Sequence, residues 1–290
     1  MFVSGFTIIR NAIKFDYPAV EAIRSILPLC DEVVVLVGQS DDDTMALIQN
    51  IQDSKIRIER SVWDDKLREG GRVLAAETDK AFQLIRPEAD WAFYIQADEV
   101  LHEKYVDTVK NAMAFYQDKT EIDGLLFDYT HFYGSYDYVG ASRRWYRKEI
   151  RVIRNDKRIK SYRDAQGFRK DGEKLAVAAV PASIYHYGWV KHPELQQAKQ
   201  QSFHKMWHDD LWMEKEIAKV KDFDYSQIDI LKHFRGTHPS VMQKRINDQN
   251  WAFSFDPTQA RWTLKSRFMY WLEQQTGLRL FEYKNYKCVY

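Results

Sequence analysis

Apolar positions along the first hundred residues alternate between two periods. Val3 to Ile9 is a short apolar run with β-branched residues, which reads as a buried strand. Asp16-Tyr17-Pro18 then opens a helix whose apolar positions Val20, Ile23, Ile26 and Leu27 follow helical spacing. Val33 to Val37 is an unbroken β-branched run, suited to a central parallel strand covered on both faces. Residues 38–44 form a polar loop and a second helix begins at Met45. A third strand spans 56–63, a third helix 73–85 and a fourth strand 91–95. This repeated alternation predicts an α/β fold, a doubly wound and mainly parallel sheet with right-handed crossovers. Ligands of such sheets bind beyond the carboxyl ends of the strands. The loops after Ile9, Val37, Trp63 and Ile95 therefore share one rim.

The pattern changes after about residue 120. Residues 124–133 and 150–153 read as strands of a β-rich part, and from Pro193 the chain turns mostly helical, around 196–213 and 264–275. With no repeat or flexible linker, one two-part unit is expected: a core over 1–190 and a helical C-terminal extension over 191–290 packed on it.

Composition narrows the partners. The net charge is +1, which argues against nucleic-acid binding through a phosphate-neutralising surface. No stretch approaches the ~18 apolar residues of a membrane span. The first ten residues do not read as a signal peptide, and two cysteines make no disulfide framework, so a cytoplasmic protein is expected. The glycines form neither G-x-G-x-x-G nor a P-loop, which leaves dinucleotide redox chemistry and Walker-type ATP hydrolysis without support. Aromatics reach 14%; they suit sugar stacking or core filling alike.

The most informative segment is Trp91-Ala92-Phe93-Tyr94-Ile95-Gln96-Ala97-Asp98-Glu99. A strand that delivers adjacent carboxylates to the ligand rim is a candidate divalent-cation site, because hard cations take oxygen ligands and keep room for phosphates. The same Asp-Glu pair also suits the cap of a following helix near His102.

This segment, with Ile8-Ile9-Arg10-Asn11 after the first strand and Ser40, Asp42 and Thr44 after the second, resembles the family 2-type glycosyltransferases of the GT-A fold. The resemblance spans roughly residues 3–190. It implies a nucleotide-sugar-binding half over about 1–100, an acceptor side over about 101–190, and metal-dependent, inverting transfer of a sugar from a nucleoside diphosphate donor. Asp98 stands at the acidic position that holds Mn²⁺ or Mg²⁺ on the donor diphosphate. Ile9, Arg10, Asn11, Val37, Ser40, Asp42, Gln96 and Ala97 fall at donor-contact positions. Two of these depart from the family pattern, with Gln96 for the first acid of D-x-D and Val37-Gly38 for the usual Asp after the second strand. A nucleotide-sugar-binding relative without transferase activity is therefore an alternative. A sugar nucleotidyltransferase is a further one, although Arg10-Asn11-Ala12 lacks the glycine-rich basic loop that such chemistry uses.

Downstream, Asp164 in Tyr162-Arg163-Asp164 matches the position of the catalytic base; its other reading is a salt bridge to Arg163 or Arg169. His186 suits a metal or diphosphate contact, or a buried imidazole bonded to backbone. Tyr187 and Trp189 suit a sugar subsite, or core packing. Arg68 and Arg72, around Gly70-Gly71, fall on the rim within reach of phosphate. His204 and His208 share a helical face but lack a third ligand, and read as surface or interface residues. The stretch from Arg143 to Lys174 carries 13 Lys or Arg against five acids. It suggests an anionic partner, namely the donor, a saccharide or lipid-linked acceptor, or the inner face of a membrane; a solvated basic face is the other reading.

Overall fold

The computed structural model describes residues 1–64, 66–67, 69–205, 221–256 and 263–289. Strands β1 (Val3–Ile9), β2 (Glu32–Gly38), β3 (Ile56–Ser61) and β4 (Trp91–Tyr94) form a parallel block in the order β3-β2-β1-β4. Helices α1 (Ala19–Ile26), α2 (Thr44–Gln49) and α3 (Arg72–Leu84) make the crossovers, and α4 (Val106–Phe115) follows β4. Period-2 alternation within β2 serves both faces. Val33, Val35 and Val37 pack with Ile23, Ile48 and Met113, while Val34 and Leu36 pack with Phe82 of α3. Each such fully buried side chain contributes roughly 1.5–3 kcal/mol. The double winding read from the sequence is what this burial produces.

The sheet continues past β4 with reversed neighbours. β8 (Lys148–Arg154) is antiparallel to both β4 and β6 (Gly124–Tyr133), and β6 also pairs antiparallel with β7 (Ser135–Gly140). β12 (Ala176–Trp189) runs parallel to β6 and antiparallel to β5 (Glu99–Leu101). A small antiparallel sheet of β9 (Ile159–Tyr162), β10 (Gly167–Lys170) and β11 (Glu173–Lys174) carries the Asp164 loop between its first two strands. Beyond residue 190 come α5 (Pro193–Lys205), β13 (Leu231–His233) on β7, two short helical turns, the helix Leu264–Thr276, and β14 (Lys287–Cys288) on β12.

Two details position the site. The fourth strand ends at Tyr94, so residues 95–98 form a bend and Glu99 enters β5. Glu99 is therefore not a helix cap; the cap is His102, whose Nδ1 accepts from the Lys104 amide at 3.3 Å. The β5–β12 pairing sets Glu99 opposite His186, and the Tyr187 amide donates to the Asp98 carbonyl at 2.8 Å.

Candidate active site

The ends of β1 and β4, the β9–β10 loop, β12 and α5 enclose a cavity of about 840 Å³. Of the residues singled out from sequence, Arg10, Asn11, Gln96, Ala97, Asp98, Asp164, His186 and Trp189 line it. Residues as far apart in the chain as Arg10 and Trp189 thus converge because parallel strands end on one rim and β12 returns beside β5.

Asp98 is a largely buried, charge-paired carboxylate on the cavity wall. Its Oδ2 lies 3.1 Å from Lys199 Nζ and 3.7 Å from His186 Nε2. Burial pushes its pKa up, but the Lys199 ammonium at hydrogen-bond distance outweighs burial and holds it well below the usual range. Lys199 also donates to the Gly188 carbonyl at 2.9 Å. Lys199 and Gly188 are candidate site residues that the sequence pattern did not single out.

The hydrogen-bond chain behind His186 fixes its tautomer. His131 Nε2 lies 2.8 Å from the Tyr146 carbonyl, which only accepts, so His131 donates there. Burial lowers the pKa of both imidazoles, keeping them neutral. His131 Nδ1 is then an acceptor for His186 Nδ1–H at 3.2 Å, and the lone pair of His186 Nε2 is left on the side of Asp98. A Cβ on Gly188 would lie 2.6 Å from Asp98 Oδ2 and 2.7 Å from His186 Nε2, so glycine keeps the space beside this pair open. Asp98 Oδ2 and the His186 Nε2 lone pair are donors of the kind a divalent cation takes, but Lys199 Nζ already lies 3.1 Å from that same oxygen. Among the described residues no group of three His, Cys, Asp or Glu could hold a metal ion, so further ligands would be water and phosphate oxygens.

Glu99 is spent on structure. It is fully buried and bidentate to Arg151, at 2.8 and 2.7 Å, with the Tyr129 hydroxyl at 2.7 Å. Removing one partner of such a pair costs about 3–5 kcal/mol. Gln96 turns its Nε2 to the Ala165 carbonyl at 3.2 Å. Asp164 forms no ion pair among the described residues, with Arg163 or Arg169 or any other, and burial raises its pKa. Its neighbours Arg163 and Ala165 both adopt left-handed φ, 57° and 63°, a strained backbone of the kind that clusters at working sites.

Several expectations need correction. Tyr187 is 1% exposed and stacks on Phe132 at 4.7 Å with its hydroxyl on His238, so it is core and not a sugar platform. Trp189 reaches the cavity because a register break between His186 and Trp189 puts them on one side. The side chains of Ile9 and Val37 are core. Ser40 and Asp42 lock the loop after β2 to the one after β1: Ser40 Oγ accepts from the Asn11 amide at 3.0 Å, and Asp42 accepts from the Lys14 amide at 2.7 Å. Val37, Ser40 and Asp42 line a separate cleft of about 420 Å³. Arg72 is exposed at the start of α3, outside the residues lining either space. Arg68 and His208 lie outside the described residues.

The basic stretch is not a free positive face either. Arg151 is buried on Glu99, Lys148 pairs with Asp128 at 2.6 Å, and Lys170 with Asp123 at 2.7 Å. Arg147 pairs with Glu282 at 2.7 Å and Arg143 with Glu273 at 3.4 Å. Its surplus is largely met by acids elsewhere in the chain.

Neither a protein-family model nor a curated protein matches the chain. Among solved structures it is similar to S. aureus TarS 1-349 in complex with UDP, at 15% identity and TM-score 0.41, covering 70% of this chain and 64% of that one. It is also similar to 4-diphosphocytidyl-2C-methyl-D-erythritol synthase from Anaerococcus prevotii DSM 20548, at 13% identity and TM-score 0.37, covering 66% and 89%. A third is glucosyl-3-phosphoglycerate synthase from Mycobacterium tuberculosis in complex with Mn²⁺, UDP and phosphoglyceric acid, at 16% identity and TM-score 0.31, covering 45% and 43%. The chain thus spans less than two thirds of the TarS fragment.

Proposed function

We propose that this protein is an inverting glycosyltransferase that moves a sugar from a nucleoside diphosphate to an acceptor hydroxyl in surface-polysaccharide or glycolipid assembly. The observation that carries the reading is one cavity holding two carboxylates tuned in opposite directions. Asp98 is kept ionised beside an imidazole lone pair and an ammonium, while Asp164 forms no ion pair among the described residues and has a raised pKa. Such divergence is how acid–base and electrostatic roles are divided in a site.

In this reading Asp98 and His186 hold Mn²⁺ or Mg²⁺, which when bound supplies neutralisation for the departing diphosphate. Lys199 adds a fixed positive charge at the same oxygen, and Arg10 and Asn11 line the donor side of the cavity. Asp164 takes the proton of the attacking hydroxyl, and Trp189 offers an apolar wall to the sugar or acceptor. Residues 1–100 form the donor half, 101–190 the acceptor side, and 191–290 an extension that brings Lys199 to the cavity.

Calorimetric titration with UDP, GDP and CMP, each with and without Mn²⁺, tests this. One nucleotide should bind in a cation-dependent way, and Asp98→Ala should abolish the dependence. The bond from Gln96 to Ala165 favours a second reading, a nucleotide-sugar binder without transfer, because it uses up the amide at the family's acidic position. Binding indifferent to the cation would support that second reading. Preference for a nucleoside triphosphate would point to nucleotidyl transfer.

A further inference from the structure

The helix Leu264–Thr276 is sharply delimited. Thr263 caps it reciprocally with Ser266, and Gly277 ends it at φ 68°. Its sequence gives it two unlike faces. Leu264, Phe268 and Trp271, at i, i+4 and i+7, are 89%, 58% and 55% exposed. The chain beyond adds Leu278 and Tyr283, and Phe281 is 95% exposed although it is a bulky residue in left-handed φ, 59°. Burial does not explain this conformation, because the ring is almost wholly exposed.

Charge is sorted the same way. Residues 263–289 hold five Lys or Arg and two acids. Both acids face inward, Glu273 to Arg143, Arg147 and Arg279, and Glu282 to Arg147 and Arg279. Lys265, Arg267 and Lys284 remain exposed beside the aromatic side chains. The stretch from Arg143 to Lys174 thus clamps this segment to the body instead of forming the outer face itself.

We infer that residues 263–289 form a docking face for an anionic lipid bilayer. A surface that pairs exposed Trp, Phe and Leu with Lys and Arg, and withdraws its carboxylates, matches an interfacial helix lying on negatively charged headgroups. A second copy of the chain is a poorer occupant, because it would bring the same positive rim against itself. The inference does not depend on the transfer reaction, since vesicle binding needs no nucleotide.

The test is flotation of the full chain with vesicles of phosphatidylcholine alone and of phosphatidylcholine mixed with phosphatidylglycerol. Wild type should float with the mixed vesicles and much less with the neutral ones. Trp271→Ser with Phe281→Ser, and separately Lys265→Glu with Arg267→Glu, should each lower the bound fraction about tenfold or more. These side chains are exposed, and unchanged circular dichroism and melting would confirm folding. Absence of flotation, flotation unaffected by both pairs of substitutions, or a dimer in light scattering that the Ser substitutions dissolve would overturn the inference.

Discussion

Gln96 Nε2 donates to the carbonyl of Ala165 at 3.2 Å, tying the bend after β4 to the loop that carries Asp164. The two segments are far apart in sequence, and the loop is strained on both sides of Asp164. An acid at this position could not make the bond, since an ionised carboxylate only accepts. Gln96→Asp should therefore lower stability by about 1 kcal/mol and speed amide exchange over residues 162–168, without raising cation affinity. Tighter Mn²⁺ binding by this variant would show that the position still serves as a ligand site.

The histidine chain gives an expectation that needs no substrate. In metal-free protein, ¹⁵N shifts should report His131 protonated at Nε2 and His186 protonated at Nδ1, because the Tyr146 carbonyl dictates the order. His131→Leu removes the acceptor and should weaken Mn²⁺ binding by about 10- to 100-fold, as loss of a ligand-orienting partner does. His131→Asn, which can still accept from His186, should recover much of it. A wild-type His186 protonated at Nε2 would contradict the assignment.

Much of this arrangement was legible in the chain. The β-branched run 33–37 specified a two-faced central strand, and the segment 91–99 placed Asp98 at a strand tip. Local pattern stops short where tertiary pairing decides. Lys199 sits 101 positions from Asp98 in a polar stretch that looks like an ordinary solvated helix. Tyr187 and Trp189, two apart, read as one strand face, and only the register break at His186 separates them. The basic surplus of 143–174 gave the sign of the charge but not its partners, because Glu273 and Glu282 lie more than a hundred residues further on.

Asp164 should separate binding from chemistry. If it takes the acceptor proton, Asp164→Asn leaves donor affinity nearly intact and lowers transfer about a hundredfold or more. Burial raises its pKa, so wild-type transfer should rise with pH as this carboxyl ionises, at a pH above that of an ordinary aspartate. That acid limb should disappear in the Asn variant. Unchanged turnover in Asp164→Asn would remove the residue from the mechanism.

Glu149 offers a test of the electrostatics beneath the site. Only 2% exposed, it accepts from Gln166 Nε2 at 2.8 Å, and burial pushes its pKa from 4.5 up to about 7, against the attraction of Arg151. The folded state therefore holds this proton more tightly than the unfolded chain does. Its contribution to stability is fully present below about pH 4.5 and is lost as pH rises through about 7, on the order of a few kcal/mol across that window. Glu149→Gln keeps an acceptor for Gln166 and removes the ionisation. The variant should melt higher than wild type at about pH 8, with the gap closing as pH falls towards 5. Wild type melting higher at alkaline pH would mean that the carboxylate is stabilised by Arg151 more than burial penalises it.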